Sequence, residues 1–377
     1  MDVTQPLTLL GGLSPQQFMK RHWQKKPLLV RGAVPGMKPF LQRSDLFAMA
    51  ARDDVESRLV AHGPKGWRMR RGPFSRRALP TLSQREWTLL VQGVDLHDDA
   101  AHELLSRFRF VPDARLDDLM ISWASDGGGV GPHFDSYDVF LLQAHGERRW
   151  RIGRQKDLSL QENVPLKILA NFKPEEEHVL GPGDMLYLPP RWAHDGVARG
   201  ECQTYSIGFR APARGELARE LLQRLAEDAA GLAGESLYGD AGHPATESPG
   251  AIGAGLQAFA RDAFRAALKD PLAANRALGE YLTEPKASVW FDGGAPLRGN
   301  CGVKLDRRSR MMHDGQHVFL NGESWRASGR DAALMRRLAD QRKLSVAELA
   351  RASEGARELL RDWCEAGWAH ADREGGT

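Results

Sequence analysis

The chain has 377 residues, 42% hydrophobic and 27% charged, which excludes a disordered or fibrous protein and leaves room for two or three domains with real cores. A formal net charge of +3 is too mild to demand a nucleic-acid partner, although local basic clusters still carry weight. Three cysteines, Cys202, Cys301 and Cys364, lie far apart with no CxxC spacing, so neither a disulfide framework nor a cysteine zinc site is expected, and a reducing cytoplasm fits best.

The N-terminal "MDVTQPLTLLGGLSPQQF" lacks a basic flank followed by a long apolar segment, and no stretch approaches the roughly 20 apolar residues that span a bilayer. A soluble, cytoplasmic chain with no membrane partner is expected. Up to about residue 212, short helical patterns mix with short apolar runs punctuated by turns: "LMISWA", "DVFLLQA", "RRWRIG", "DMLYLPP" and "QTYSIGF". Strands of this kind predict a sandwich or barrel. From 213 to 285 the pattern is helical, with Leu221, Leu222 and Leu225 in one segment and Leu256, Phe259, Phe264 and Leu268 in another. The Gly, Pro and Ser-rich "YGDAGHPATESPGAIGAG" joins them. From 286 to 377, "HDGQ" and "LNGE" are hairpin turns separating three short strands, and helical patterns follow around Leu334, Leu338, Leu349 and Leu359, a winged-helix-like arrangement.

The stretch "GPHFDSYDVF" reads as a strand, which sets His133 and Asp135 on one side and Phe134 on the other. "YLPPRWAHDG" offers His194 as a third ligand just beyond a strand and a Pro-Pro break. Two imidazoles and a carboxylate leave three octahedral positions open, as a non-haem Fe(II) enzyme that binds oxygen and a co-substrate requires. A closed structural zinc site would not leave that room. The preceding "GGGVGP" is followed by a strand rather than a helix, so it reads as a turn at the site and not as a phosphate loop. In "GERRWRIG", Arg148 shares a strand face with Trp150 and Ile152; an arginine there is costly unless it meets an anion, and its fork suits a dicarboxylate.

These segments, together with "FMKRHWQKKPLLVRGA", "LDDLMISWA", "GGGVGPHFDSYDVFLLQ" and "LGPGDMLYLPPRWAHDG", carry a resemblance to the Jumonji-C oxygenases, and among them to the bacterial ribosomal oxygenases. The resemblance implies a mixed α and β chain: a double-stranded β-helix (cupin-like) catalytic domain over 1–212, a helical dimerisation unit over 213–285 and a winged-helix-like domain over 286–377. It implies Fe(II) on His133, Asp135 and His194, with 2-oxoglutarate and O2 as co-substrates. Arg148 would receive the distal carboxylate of 2-oxoglutarate, with Ser122 a weaker candidate for a supporting hydrogen bond. The implied reaction couples decarboxylation to succinate with hydroxylation of an arginine of a large-subunit ribosomal protein. Asp118 and Tyr137 match the family's substrate region, and Met120, two residues from Asp118, would pack on the aliphatic stem. A homodimer is implied likewise.

Asp126, Asp138 and Asp195 are reserve candidates for the substrate pocket. The cluster Arg68, Arg70, Arg71, Arg76 and Arg77 would suit incidental contact with ribosomal RNA, but a basic solvated loop is the preferred reading. His313 and His317 flank a turn and read as structural. The alternatives are a hydroxylase acting on histidine or asparagine, a metal-binding cupin without oxygenase activity, and a nucleic-acid-binding module. Residues 301–377 hold 14 Lys and Arg against 12 Asp and Glu, which argues against the last.

Overall fold

A computed structural model describes residues 2–372 apart from 65, 298, 300 and 327. Tertiary contacts divide the chain into two units, Met1–Ala211 and Pro212–Thr377. The division foreseen at 285 falls inside the second.

In the first unit, α1 (Pro15–Arg21) opens with a capping box. Ser14 Oγ accepts the Gln17 N–H at 3.2 Å, and Gln17 Oε1 accepts the Ser14 N–H at 3.0 Å. After β1 (Leu28–Val30) come α2 (Arg43–Met49), β2 (Ser57–Gly63), β3 (Gly66–Arg71), β4 (Trp87–Val91) and α3 (Asp99–Ser106). Then follow β5 (Leu116–Ala124), β6 (Val139–Arg154), β7 (Glu176–Leu180), β8 (Met185–Leu188) and β9 (Trp192–Phe209). All nine strands form one sheet in the order β1-β8-β6-β9-β5-β4-β2-β3, with β7 on the second half of β6.

The long pair β6 and β9 runs through both halves of this sheet, whose path ends at β1 and β3. The first half of β6 lies between β8 and the end of β9; its second half lies between β7 and the start of β9. The register shifts between Gln143 and Glu147 mark the irregularity where the pair turns from one layer to the other. Phe140 and Leu142 face the main core with Tyr187, Tyr205 and Ile207, while Val139, Leu141, Trp150 and Ile152 join a second cluster with Leu186 and Leu188. Burial on both faces is why "VFLL" shows no polar alternation.

Three details differ from the sequence reading. Residues 131–138 are not a strand: Gly131 at φ 78° and Pro132 interrupt the extended run, and β6 starts at Val139. The strand read as "QTYSIGF" begins already at Trp192, so His194, just beyond β8 and the Pro-Pro break as expected, itself stands in β9. Strands β2, β3 and β4 had not been distinguished.

The second unit holds α4 (Arg214–Glu227), α5 (Ala229–Ala233), α6 (Ala254–Ala267) and α7 (Pro271–Thr283). After them come β10 (Gly302–Leu305), β11 (Met311–His313), β12 (His317–Leu320), β13 (Glu323–Arg326), α8 (Gly329–Gln341), β14 (Lys343–Leu344), α9 (Val346–Leu349), α10 (Glu354–Glu365) and β15 (Ala369–Asp372). The two foreseen hairpin turns join β11, β12 and β13 into one sheet, and β14-β10-β15 form another. Helix α7 belongs with them: Ser324 Oγ donates to Glu280 Oε1 at 2.6 Å and the Gly322 N–H donates to Thr283 Oγ1 at 3.2 Å. No described helix is long and apolar enough to cross a membrane.

One close approach governs the second cluster. A Cβ on Gly196 of β9 would lie 2.5 Å from the buried Trp150 ring. Gly196→Ala is therefore expected to force the ring aside at about 1–3 kcal/mol, lowering Tm in calorimetry by roughly 2–10 °C; an unshifted Tm would show that the indole has room to yield.

Candidate functional site

The pocket floor is built by register. Across β5, β9 and β6 three rows stand in line: Asp118, Gly208 and Val139; Met120, Ser206 and Leu141; Ser122, Thr204 and Gln143. The period of two in "LDDLMISWA" thus sends Asp118, Met120 and Ser122 to one face, and all three line the pocket together with His133, Asp135, Tyr137, Arg148 and His194. Its volume is about 260 Å³.

His133 and His194 hold each other through the backbone. The His133 N–H donates to the His194 carbonyl at 3.0 Å and the His194 N–H to the His133 carbonyl at 2.7 Å, an isolated bridge that fixes the irregular stretch against β9. The Arg191 N–H donates to the Asp135 carbonyl at 2.7 Å. A Cβ on Gly131 would meet Ile168 at 2.9 Å and Trp67 at 3.1 Å, so the residue two before His133 has to be glycine for the chain to pass.

The side chains converge. One ligand atom each from His133, Asp135 and His194 lies within 4.8 Å of the others, and His194 Nε2 is 3.7 Å from Asp135 Oδ2. His133 Nδ1 lies 2.9 Å from the Gly131 carbonyl and His194 Nδ1 lies 3.0 Å from the Trp192 carbonyl. A carbonyl only accepts, so each Nδ1 carries the proton and each Nε2 lone pair is left for an ion. Burial and the neighbouring His133 hold His194 down to about 4, which keeps its imidazole neutral near pH 7. This donor set fits a non-haem metal with open positions. Among the described residues it is the one group of His, Cys, Asp or Glu side chains placed to hold an ion.

Arg148 projects from β6 into the same pocket and is 4% exposed. Its Nε and Nη2 are buried without a hydrogen-bond partner, and its guanidinium lies 5.7 Å from the Trp150 ring centre. A buried cation so placed calls for an anion, and its fork matches a carboxylate. Ser122 Oγ donates to the Thr204 carbonyl at 3.3 Å, and Thr204 Oγ1 donates to Gln143 Oε1 at 2.8 Å.

Asp118 is buried, and its Oδ2 accepts from Gln92 Nε2 and from the Gly93 N–H, both at 3.1 Å. A Cβ on Gly208 would lie 3.6 Å from Asp118 Oδ1. Met120 Sδ is 4.0 Å from Arg58 Nη2. Tyr137 is 40% exposed, yet desolvation and the Asp135 carboxylate hold its phenol above the ordinary range.

The three reserve carboxylates lie outside this pocket. Asp126 takes the Gly200 N–H and Arg85, Asp195 pairs with Arg151 at 2.5 Å, and the fully buried Asp138 accepts from Tyr187 at 2.5 Å and Gln24 at 3.2 Å. His317 approaches Asp314 at 3.4 Å and His313 approaches Asp340 at 3.2 Å, both structural. Of the arginine cluster, Arg70 donates to the Ala78 carbonyl at 3.1 Å and Arg76 stacks over Phe47. Sequence reasoning missed Arg58, Met69, Gln92 and Lys167 at the pocket walls. Arg58 and Met69 could have been found once "SRLVAHG" and "GWRMRR" were read as paired strands.

A β-sheet folded over one pocket that carries two histidines, a carboxylate and a buried guanidinium defines a cupin of the Jumonji-C type, and residues 103–217 match the JmjC domain model. Residues 266–370 match a ROXA-like winged helix. The chain is 34% identical over 324 residues to the ribosomal protein uL16 3-hydroxylase of Escherichia coli, covering 81% of this chain and 84% of that protein. It is 36% identical over 204 residues to a probable ribosomal oxygenase of Haemophilus influenzae, covering 53% and 50%. The solved structure of the E. coli ribosomal oxygenase YcfD in complex with cobalt and 2-oxoglutarate matches with a TM-score of 0.80 at 29% identity, over 98% of this chain and 100% of that one. An X-ray structure of the same E. coli protein gives 0.82 at 28% identity, over 95% and 98%. The chain belongs to the bacterial JmjC ribosomal oxygenases.

Replacing His133 or Asp135 with alanine is expected to abolish stoichiometric uptake of Fe(II) or Co(II), read by titration calorimetry, while circular dichroism stays that of the folded chain, since no core strand depends on the ion. Undiminished uptake by either variant would remove these ligands from consideration.

Proposed function

We propose that this protein is an Fe(II)- and 2-oxoglutarate-dependent oxygenase that hydroxylates a ribosomal protein side chain, an arginine of uL16. The observation that carries the reading is the unpartnered Arg148 guanidinium in the pocket that also holds the three candidate metal ligands. A metal-storing cupin has no use for a buried cation beside its ion.

In this reading His133, Asp135 and His194 hold Fe(II), which with 2-oxoglutarate and O2 supplies the oxidising power to convert a C–H bond to C–OH, with succinate and carbon dioxide as co-products. Arg148 binds the distal carboxylate of 2-oxoglutarate bidentately and so fixes the end of the co-substrate that does not react. Ser122 and Thr204, in one row of the floor, supply polar contacts beneath it. Asp118 faces the substrate guanidinium, the Tyr137 ring offers a surface for it to stack on, and Met120 packs on the aliphatic stem. The bonds from Gln92 and Gly93 hold Asp118 still while it does so. The similarity to the uL16 3-hydroxylase supports uL16 as the protein substrate, and the arginine target rests on the Asp118 carboxylate and the Tyr137 ring in the pocket.

We also propose a homodimer formed through α4 and α6. Helix α6 has no buried residue, and Leu222 of α4 with Leu256 and Phe264 of α6 are 48%, 44% and 61% exposed, an apolar load that a second copy would cover.

Arg148→Ala is expected to raise the KM for 2-oxoglutarate by the loss of about 2–5 kcal/mol, and an unaltered KM would assign the co-substrate clamp elsewhere. A uL16 peptide with its target arginine changed to lysine should be turned over poorly. In Asp118→Asn, chosen because an amide keeps the acceptor for Gly93, peptide hydroxylation should fall far more than peptide-independent 2-oxoglutarate consumption; equal losses would mean a collapsed pocket. For the dimer, Phe264→Glu should halve the mass seen by light scattering, and an unchanged mass would place the contact on another face.

A further inference from the structure

The pocket admits a side chain, so the polypeptide bearing it has to be held outside. We propose that the free edge of β3 holds it: an extended segment of the protein substrate adds as a further strand beside Trp67, Met69 and Arg71. This deepens the hydroxylase reading and rests on it.

The hydrogen-bond phase of the sheet leaves that edge open. The Gly72 N–H donates to the Ser57 carbonyl at 2.9 Å, and the same register pairs Leu59 with Arg70 and Ala61 with Arg68. In an antiparallel ladder bonded pairs alternate with unbonded ones, so Arg70 and Arg68 spend their amides on β2 while Arg71, Met69 and Trp67 turn their N–H and C=O groups away from it. The other side of β2 shows the complementary phase, with the His62 N–H donating to the Glu86 carbonyl at 2.9 Å. β3 ends the strand order, and among the described residues nothing pairs with its outer side. Three residues in alternation thus each present a donor and an acceptor over a strand of about 20 Å.

The edge also lies on the right face. Arg58 and Val60, opposite Arg71 and Met69, line the pocket with Met69 itself. Trp67 stands next to Gly131, two residues before His133, where an added Cβ would lie 3.1 Å from its ring. Leu166 and Lys167 form another part of the wall. A chain paired with β3 would send alternate side chains to the metal-bearing face, so that one enters the pocket while its main chain stays on the edge. Arg68 and Arg70 project to the opposite face, where like charge discourages pairing with a second copy of the same edge.

The test uses the full-length enzyme and overlapping synthetic peptides covering E. coli uL16, with the peptide that gains one oxygen by mass spectrometry then remade with single N-methyl groups along its length. Strand addition predicts that methylation at every second residue raises the peptide KM about tenfold, the worth of one net backbone hydrogen bond, while the intervening positions change little. It also predicts that the parent peptide slows hydrogen exchange at the Trp67, Met69 and Arg71 amides. A hydroxylated parent peptide with no alternation in the methyl scan and no protection of β3 overturns the docking edge and leaves the hydroxylase reading standing. Peptides that are neither hydroxylated nor bound overturn both.

Discussion

The reciprocal backbone bond between His133 and His194 is the constraint on which the site depends. Residues 131–138 have no strand of their own, and this bridge, with the Arg191 N–H on the Asp135 carbonyl and the Leu169 N–H on the Pro132 carbonyl, ties the segment carrying one imidazole and the carboxylate to the frame. Bridged to β9, it inherits the rigidity of a strand that packs against β6 along its whole length. The carbonyls of Gly131 and Trp192 then set both rings from within the same two segments, so ring orientation needs no help from distant residues.

Against that order stands a charge with nothing to meet it. Arg148 keeps its guanidinium out of water, with two of its nitrogens unbonded and an indole beside it. Such a group costs stability in the free protein, and the strain is relieved by an anion of matching geometry. The floor rows from Asp118 to Ser122 are, by contrast, already satisfied by neighbours. The pocket thus divides into a part that waits for its ligand and a part that is set beforehand.

What the chain made legible follows from local pattern. The short spacing from His133 to Asp135, the turn before β8 and the two-residue period of β5 are all visible in consecutive letters, and so were the candidate ligands, the floor and the two hairpins of the second unit. Strands β2 and β3 were hidden because "GWRMRR" carries arginines where a half-buried strand would show apolar alternation; an edge strand buries too little to show its period. Asp126, Asp138 and Asp195 looked equivalent to Asp118 as letters. What separates them is partnership across the sheet, with Tyr187 lying 49 residues beyond Asp138 and Arg151 lying 44 before Asp195. The interruption at Gly131 and Pro132 was readable as a turn, but the bridge that makes it serve as a strand joins residues from distant parts of the chain.

β9 presents Thr204, Ser206 and Gly208 to the pocket and Tyr205, Ile207 and Phe209 to the core on the opposite side, with His194 upstream on the same strand. Its length therefore has parity. Inserting or deleting one residue between Thr204 and Gly208, where the pairing with β5 and β6 is regular, would turn tyrosine, isoleucine and phenylalanine into the cavity and drive hydroxyls into the core, whereas a change of two would preserve the sidedness. The segment between β6 and β7, which carries Leu166 and Lys167 to the pocket wall, lies outside that register, so its length can change without disturbing the strand pairing that places His194 and Thr204.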